Sequence, residues 1–321
     1  MSASNLENAH PHAPLVSQFA PAPAGELPKQ SRRGWGFLLF AATLVLLFHR
    51  PLLDLWRYCS TSDIFSYVPL VPLMSGYLIW LKRAELASSP FDGWRPGVWL
   101  ASLGGAAILI GWWGWPLLGG GLTAFARFGL PTVAFLLFLV GGFILFFGGK
   151  SARAVAFPLA LLGLMIPLPT VVTNGLSAFL QHASAEVSYW LLNVAGEPVL
   201  RNGLVFQLSG ITIRVAEECS GIRSSLVLLI TSLLSGYLFL SRPRWRLALV
   251  LAAIPLGILR NGLRIFLISV LCTHLGPEMI DSPLHHRGGP LFFALSMVFL
   301  GGLLMIFRKI ERTKEANGKD G

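Results

Sequence analysis

Long apolar runs dominate the chain, and their lengths predict a bundle of membrane-spanning helices. A transmembrane helix needs about 20 mostly apolar residues to cross the hydrocarbon core of a bilayer. Eight stretches approach or reach that length, at residues 34–50, 64–81, 97–117, 128–147, 154–172, 222–241, 247–272 and 288–307. The first is the weakest, because His49 and Arg50 interrupt it. The predicted fold class is an all-α polytopic membrane protein with about eight transmembrane helices.

The connection between the fifth and sixth spans, residues 173–218, has a pattern of its own. Apolar residues recur at helical spacing between 174 and 195, which predicts an amphipathic helix at the outer membrane interface. After Gly196, the segments VLRNGLVFQL and ITIRVAEE alternate apolar and polar residues around Ser209 and Gly210. This alternation predicts a short β-hairpin that leads the chain to Cys219.

Composition and charge agree with a membrane location and predict the orientation of the chain in the membrane. Of the 321 residues 54% are hydrophobic and 12% are charged, whereas soluble domains have about 25% charged residues. Lys and Arg concentrate in both termini and in the loops after spans 2, 4 and 6, so both termini are predicted to be cytoplasmic. The net charge of +10 therefore reflects topology, and no nucleic-acid partner is expected.

The two ends of the chain lie outside the predicted membrane domain. Residues 1–33 are rich in Ala, Pro, Ser and Asn and lack an apolar core, which indicates a disordered cytoplasmic tail and not a cleavable signal peptide. Residues 34–307 form the predicted transmembrane domain. Residues 308–321 are predicted to be a basic cytoplasmic tail.

The three cysteines, Cys59, Cys219 and Cys272, are widely spaced and form no C-x-x-C pair. This pattern indicates neither a disulfide framework nor a zinc site, and at least one thiol is expected to be free. Neither a metal nor another cofactor is predicted.

Ionisable residues inside membrane spans are candidates for function, because a charge near the bilayer centre is costly. Arg260 and Arg264 lie within the seventh span, with Asn261 between them. Helical spacing directs these three side chains broadly to one side. Span 7 runs outward, so Arg264 lies in the outer half of the membrane.

Three chemically useful groups are predicted to converge in that outer leaflet. Cys219 enters span 6 from the outer side, HHRGG at residues 285–289 enters span 8 from the same side, and Arg264 lies beneath them. A thiolate attacks carbonyl groups, and its formation is favoured by a helix N-terminus or by a cation such as Arg223. Ser220 is the expected N-cap of span 6. Histidine can relay protons and arginine can stabilise an oxyanion, so the set suits acyl transfer through a thioester.

Other interpretations of the same residues remain open. A cysteine in a membrane helix is most often a small hydrophobic residue, a histidine at a helix end is usually interfacial, and an outer arginine can bind lipid phosphate. A buried Arg264 is harder to explain in this way, because it needs a partner or a water-filled cavity.

The chain resembles the exosortase/archaeosortase family of membrane-embedded transpeptidases. The resemblance lies in an ordered set of motifs between about residues 60 and 300: LVPLMSGYLIWLKR at 70–83, FPLALLGLMIPLP at 157–169, AEECSGIRSS at 216–225, PLGILRNGLRI at 255–265 and HHRGG at 285–289. The fourth motif contains N-x-x-R at Asn261 and Arg264. No single motif is decisive, but the ordered set is specific.

The resemblance implies a catalytic set of Cys219, Arg264 and His285 that faces the periplasm of a bacterial inner membrane. His285 is preferred to His286 because it stands four residues before Gly289. Glu218, Arg223 and Asn261 would support the set, and Arg260 could share the oxyanion role. The implied substrates are membrane-anchored proteins with a C-terminal motif such as Pro-Glu-Pro, a transmembrane helix and a basic tail, and the acceptor is unknown. The family is associated with exopolysaccharide loci.

The resulting hypothesis is a cysteine transpeptidase that processes sorting signals. The alternative of a different class is a transporter or polysaccharide-export subunit, in which Arg260 and Arg264 bind an anionic substrate and Cys219 is incidental. A scaffold with lipid-bound arginines is a further possibility. A protease that passes the acyl group to water would carry the same motifs.

Overall fold

The computed structural model describes residues 29–62, 64–88, 95–113, 125–216, 220–276, 278–279 and 289–317. Helices contain most of these residues, and the strands among them form one small antiparallel sheet. The predicted class, an all-α polytopic membrane protein with a helix and a small sheet before the sixth predicted span, is confirmed, and the side of the membrane on which that segment lies stays a prediction.

The helices follow one another with short breaks: α1 (Lys29–Leu47), α2 (His49–Thr61), α3 (Val71–Leu81), α4 (Arg83–Ser88), α5 (Arg95–Trp113), α6 (Leu130–Phe147), α7 (Gly149–Ala154), α8 (Ala156–Leu161), α9 (Thr170–Val194), α10 (Ile222–Phe239), α11 (Pro243–Leu275) and α12 (Gly289–Asn317). Short 3₁₀ segments precede α3 and follow α8, and a π-helical turn precedes α6. The strands are β1 (Leu200–Asn202), β2 (Val205–Leu208) and β3 (Ile211–Arg214).

Four helical stretches in the described residues are long and apolar enough to cross a membrane: Arg127–Phe147, Ile222–Phe239, Pro243–Leu275 and Gly289–Lys314. Two bent helix pairs raise that number to six if each pair is one span: Arg33–Leu47 with His49–Thr61, and Ala156–Met165 with Thr170–Val194. Two shorter apolar helices, Val68–Leu81 and Pro96–Ile108, coincide with the remaining predicted spans. The number eight is not confirmed and stays a prediction.

The ends of the first and last helices differ from the predicted boundaries. Helix α1 begins at Lys29, within the predicted tail, and residues 1–28 lie outside the described part of the chain. Helix α12 continues to Asn317, so most of the predicted basic tail is helical. Both extensions are rich in Lys, Arg, Gln or Glu, which favour helices even where they are too polar for a bilayer.

The chain divides into two compact units, and the division falls within α9. The N-terminal unit contains described residues 29–174. In it, α5 and α6 pack closely at two glycines. A Cβ built on Gly97 would lie only 2.6 Å from the Gly141 carbonyl oxygen, so a larger residue has no space there. The Ser75 hydroxyl of α3 donates a buried hydrogen bond of 2.8 Å to the Pro158 carbonyl.

The C-terminal unit contains described residues 175–317 and has two apolar cores. One core joins α10, α11 and α12 through Leu228, Leu240, Leu249, Ala253 and Leu300. The other joins the sheet to α9 and α11 through Ala185, Leu192, Phe206, Leu208, Ile213, Val215, Ile265, Ile268 and Cys272. The sheet is therefore fixed to α9 and to α11, the helix that carries Arg260 and Arg264.

The predicted hairpin is part of a three-stranded sheet with the order β1-β2-β3. The turn at Ser209 and Gly210 is present where it was predicted, between the paired residues Leu208 and Ile211. A second two-residue turn precedes it, and there Gly203 has φ +61°, a conformation that glycine adopts readily. The segment VLRNGLVFQL, predicted as one strand of the hairpin, is thus divided into the two strands β1 and β2.

The helix predicted at residues 174–195 is present as α9, its place at the outer membrane interface stays a prediction, and its buried face is largely polar. Small or polar side chains at helical spacing face the interior: Thr173, Ser177, Gln181, Ser184 and Ser188. Phe179, Trp190 and Val194, by contrast, are more than half exposed. Small residues at helix contacts and apolar residues outside are typical of helices surrounded by lipid.

Candidate active site

Helix α10 begins directly after a glycine in the left-handed backbone conformation. Gly221 occupies the N-cap position with φ +71° and ψ +14°. This conformation costs residues with a Cβ about 1–2 kcal/mol, and glycine avoids that cost. Ser220 was predicted as the N-cap of this helix, and that prediction is wrong by one residue. The left-handed residue Gly221 stands between Ser220 and the helix, and the Ser220 side chain is buried.

Three donors surround the main-chain carbonyl oxygen of Gly221. The Ser225 amide donates at 3.0 Å and the Ser224 hydroxyl donates at 3.1 Å, both from the first turns of α10. Nη2 of Arg260, in α11, lies 3.4 Å from the same oxygen. This distance is long for a hydrogen bond, so the contact is weak. It nevertheless brings a guanidinium to a residue two positions after Cys219.

Gly221 has no space for a side chain. A Cβ built there would lie 2.9 Å from both Cγ and Oδ1 of Asn261 and 3.3 Å from Nη2 of Arg260. Asn261 is itself buried, with 2% exposed. Glycine is therefore required at position 221 both for its backbone conformation and for the contact with α11.

Glycines also allow α11 to approach its neighbouring helices. A Cβ on Gly257 would lie 2.9 Å from Oγ of Ser225 in α10. A Cβ on Gly262 would lie 2.6 Å from Cγ1 of Val187 in α9 and 3.0 Å from the Ser184 carbonyl oxygen. Close contact at small residues fixes the relative positions of helices in a membrane protein. Arg260 and Asn261 lie between these two contacts along the chain.

Arg260 is 6% exposed, and one of its terminal nitrogens has an unused hydrogen-bonding capacity. Nη2 faces Gly221, but Nη1 has no acceptor among the residues that the structure describes. Arg264, one helical turn further, is partly exposed, and the two positive charges repel each other. A buried cation is costly unless a negative group compensates it. The pair therefore suits a carboxylate or an oxyanion.

The chain is also fixed before Cys219. The Val215 amide donates to the Leu204 carbonyl at 2.9 Å, and Nε2 of Gln181 donates to the Val215 carbonyl at 2.7 Å. Gln181 comes from α9 and is buried, as is Val215. Sequence reasoning missed Gln181, although its spacing from Ser177, Ser184 and Ser188 repeats along one helix face. This row of polar residues along one face of α9 could have identified Gln181 from the sequence.

Two polar side-chain contacts lie at the edge of the sheet. Oε1 of Glu197 and Nε2 of His274 are 2.6 Å apart and join the chain after α9 to the last turn of α11. Arg201 of β1 pairs with Glu186 of α9 at 2.7 Å. One partner of each contact is well exposed, so each contact contributes little stability, about 0–1 kcal/mol. They connect the same elements as the apolar core beneath the sheet.

Half of the predicted site residues lie in the described part of the chain, and they differ in burial. The described ones are Arg223, Arg260, Asn261 and Arg264, and those outside the described residues are Glu218, Cys219, His285 and His286. Arg260 and Asn261 meet at Gly221, Arg264 is partly exposed, and Arg223 is exposed in the first turn of α10. Cys59 and Cys272 are free and buried.

No group of three or more His, Cys, Asp or Glu side chains suited to a metal ion occurs within the described ranges. A family model described as transmembrane exosortase matches residues 56–302. Comparisons with curated proteins and with solved structures found no match. The matched range includes every predicted site residue and the contacts at Gly221 and Val215.

Proposed function

Because the chain belongs to the transmembrane exosortase family, we propose that it is a cysteine transpeptidase of the bacterial inner membrane. It would cleave the C-terminal sorting signals of exported proteins and transfer them to a surface acceptor. One observation supports this function above the others: the buried Arg260 and Asn261 contact Gly221, two residues after Cys219. The buried cation of α11 therefore lies beside a residue only two positions after the thiol in the chain.

In this proposal, Cys219 is the nucleophile and His285 takes its proton. The sulfur forms a bond to the scissile carbonyl carbon, and the electron pair of the C=O bond moves to the oxygen. Arg264 stabilises that oxyanion. When the intermediate collapses, the C–N bond breaks and His285 returns the proton to the leaving amine. The acceptor then attacks the thioester, transfers its proton to His285 and releases the thiolate.

The supporting residues would set the charge around the thiol. Glu218 and Arg223 flank Cys219 in sequence, and Asn261 packs against the glycine that ends the segment. Arg260 adds a buried cation, which favours a thiolate and an oxyanion over their neutral forms. His286 is the alternative proton carrier to His285. The proposal places both termini in the cytoplasm and the site at the periplasmic surface.

The decisive experiment follows processing of a tagged substrate that ends in a Pro-Glu-Pro motif, an apolar helix and an arginine cluster. Cys219→Ala is expected to leave the precursor uncleaved, whereas Cys59→Ala and Cys272→Ala cleave it, because both of those thiols are buried. Processing by Cys219→Ala at the normal rate would refute the proposal. The mass of the cleaved product shows whether an acceptor or water received the acyl group.

A second candidate is a transporter or export subunit, which the unused Nη1 donor of Arg260 favours, because a buried cation can bind an anionic cargo. This function requires transport to survive Cys219→Ser and to fail in Arg264→Gln. The transpeptidase requires processing to fail in both variants. The behaviour of Cys219→Ser therefore separates the two candidates.

A further inference from the structure

Basic side chains gather where the connection between α10 and α11 meets the C-terminal part of α12. Residues 240–246 contain no Asp or Glu, and residues 308–314 contain one acid, Glu311. Arg246 is already engaged, because its Nε donates to the Leu240 carbonyl at 2.8 Å. The remaining cations of the two segments are called the basic surface here and are Arg242, Arg244, Arg308, Lys309, Arg312 and Lys314.

Direct contacts hold the two segments side by side. The buried Glu311 carboxylate accepts hydrogen bonds from the amides of residues 241–242, at 3.0 and 2.8 Å. The rings of Trp245 and Phe307 pack with their centroids 4.8 Å apart. The Arg244 guanidinium lies over the Trp245 ring, 5.6 Å from its centroid. The cations at the start of α11 and those near the end of α12 therefore belong to one surface.

The positive charge of the basic surface is not neutralised within the part of the chain that the structure describes. None of its six side chains forms an ion pair with a described residue, whereas Arg57, Lys82 and Arg201 do so elsewhere. Glu311 is 3% exposed, and both of its oxygens accept from backbone amides. Adjacent cations repel one another, so the basic surface favours an anionic partner.

Exposed apolar side chains begin within one helical turn of the basic surface. On α11 an exposed apolar row lies on the helix face of Arg244 and consists of Leu247, Leu251 and Ile254. On α12, Met305 is exposed four residues before Lys309. Both helices are long and apolar enough to cross a membrane. The basic surface therefore lies where a membrane span ends, at the level of lipid headgroups.

We propose that the basic surface binds the headgroups of anionic phospholipids, with their acyl chains along the exposed apolar side chains of α11 and α12. Guanidinium groups bind phosphate oxygens in pairs, and basic clusters beside a membrane span attract anionic lipids. A nucleic acid also offers phosphates, but it has no acyl chain to cover the apolar row. The inference is independent of the proposed function, because it involves none of the catalytic residues.

The test uses the full-length protein in a neutral detergent. The probes are phosphatidylglycerol, which carries a net negative charge, and phosphatidylcholine with the same acyl chains, which does not. The test variant combines Arg244→Gln with Arg312→Gln, one exposed cation from each helix. The matched control combines Arg57→Gln with Arg214→Gln, which removes the same charge from exposed positions of α2 and β3. Native mass spectrometry measures lipid retention, and thermal unfolding measures stabilisation by each lipid.

The parent is expected to retain phosphatidylglycerol more tightly than phosphatidylcholine and to gain more in unfolding temperature from it. The test variant should retain phosphatidylglycerol less tightly, by about fivefold for each charge removed. Its retention of phosphatidylcholine should change little. The control should behave like the parent. Without added lipid, both variants should unfold at the temperature of the parent, because all four substitutions are at exposed positions.

Equal retention of the two lipids by the parent would overturn the inference. Equal losses in the test variant and the control would also overturn it, because the net charge of the whole protein would then explain the binding. Displacement of the lipid by glycerol phosphate at the same concentration would show a site for free phosphate. Tighter binding of a short single-stranded DNA than of phosphatidylglycerol would show a nucleic-acid partner, and either result would refute the lipid site.

Discussion

Nη2 of Arg260 lies 3.4 Å from the carbonyl oxygen of Gly221, although 39 positions separate the two residues in the chain. The contact joins α11 to the start of α10, immediately after the segment that carries Cys219. The predicted intramembrane cation therefore contacts a residue that lies two positions after the predicted nucleophile in the chain.

Arg260→Met should separate stability from activity. Replacing buried charged groups with apolar residues is often neutral or stabilising, by about 1–4 kcal/mol. We expect the unfolding temperature of the purified protein to stay constant or rise, and processing to fall at least about tenfold as the positive field is lost. Arg214→Met, at an exposed position of β3, is the control. A less stable protein with normal processing would contradict this expectation.

Gly221→Ala should be much more harmful than the same change at another left-handed glycine. Both Gly221 and Gly210 have positive φ, but a Cβ at Gly210 meets nothing within 4 Å, whereas a Cβ at Gly221 meets Asn261. Gly210→Ala is expected to cost about 1–2 kcal/mol of unfolding free energy from backbone strain alone. Gly221→Ala adds the clash and stops processing. If Gly221→Ala and Gly210→Ala lowered the unfolding free energy and the processing rate equally, the contact with Asn261 would be shown to be unimportant.

The contact between α10 and α11 can be tested with a compensating pair. Gly257→Ala brings a methyl group to 2.9 Å from Oγ of Ser225, and overpacking of this kind costs about 1–3 kcal/mol. Ser225→Ala removes the Oγ atom, so the double variant should regain most of the lost stability. Gly236→Ala, whose nearest neighbour lies at an ordinary 3.5 Å, should be neutral or slightly stabilising. Additive losses in the double variant would be inconsistent with this packing.

Glu311 should stabilise the start of α11, although it lies 69 residues after Arg242 in the chain. Its carboxylate, in α12, is buried and accepts hydrogen bonds from the Ser241 amide at 3.0 Å and the Arg242 amide at 2.8 Å. Arg242 is the N-cap of α11 and supplies no side-chain cap itself. Glu311→Ala is expected to cost about 1–3 kcal/mol in thermal or denaturant unfolding. The exposed Glu85→Ala provides the control, and an equally small loss in both variants would refute the capping role.

Most of the helices and one of the two turns of the sheet could be predicted from local patterns in the sequence. The helical repeat of α9 and the turn at Ser209 and Gly210 are present as expected, because both depend on residues that are close in the chain. The turn at Gly203 and Leu204 was missed, although a glycine at the first position of a two-residue turn between alternating residues is a hairpin signal. The division into β1 and β2 was therefore available from the sequence.

The contacts that build the candidate site could not be predicted in the same way. Arg260 and Asn261 were identified as candidates from their membrane position, but their approach to Gly221 depends on how closely α10 and α11 pack. That distance is set by Gly257 and Ser225, which carry no chemical signal of their own. The bond from Gln181 to Val215 likewise joins a helix to a strand end, and no local pattern specifies such a pair.

The outward apolar face of α9 makes the solvent around the protein a part of what holds the helix in place. In plain water, Phe179, Trp190 and Val194 would favour burial, and turning the helix to hide them would pull Gln181 away from Val215. Lipid or detergent prevents that rotation by solvating the apolar face. The solvent around the protein therefore helps to keep the hydrogen bond between Gln181 and Val215, and the unfolding temperature should differ from one detergent to another.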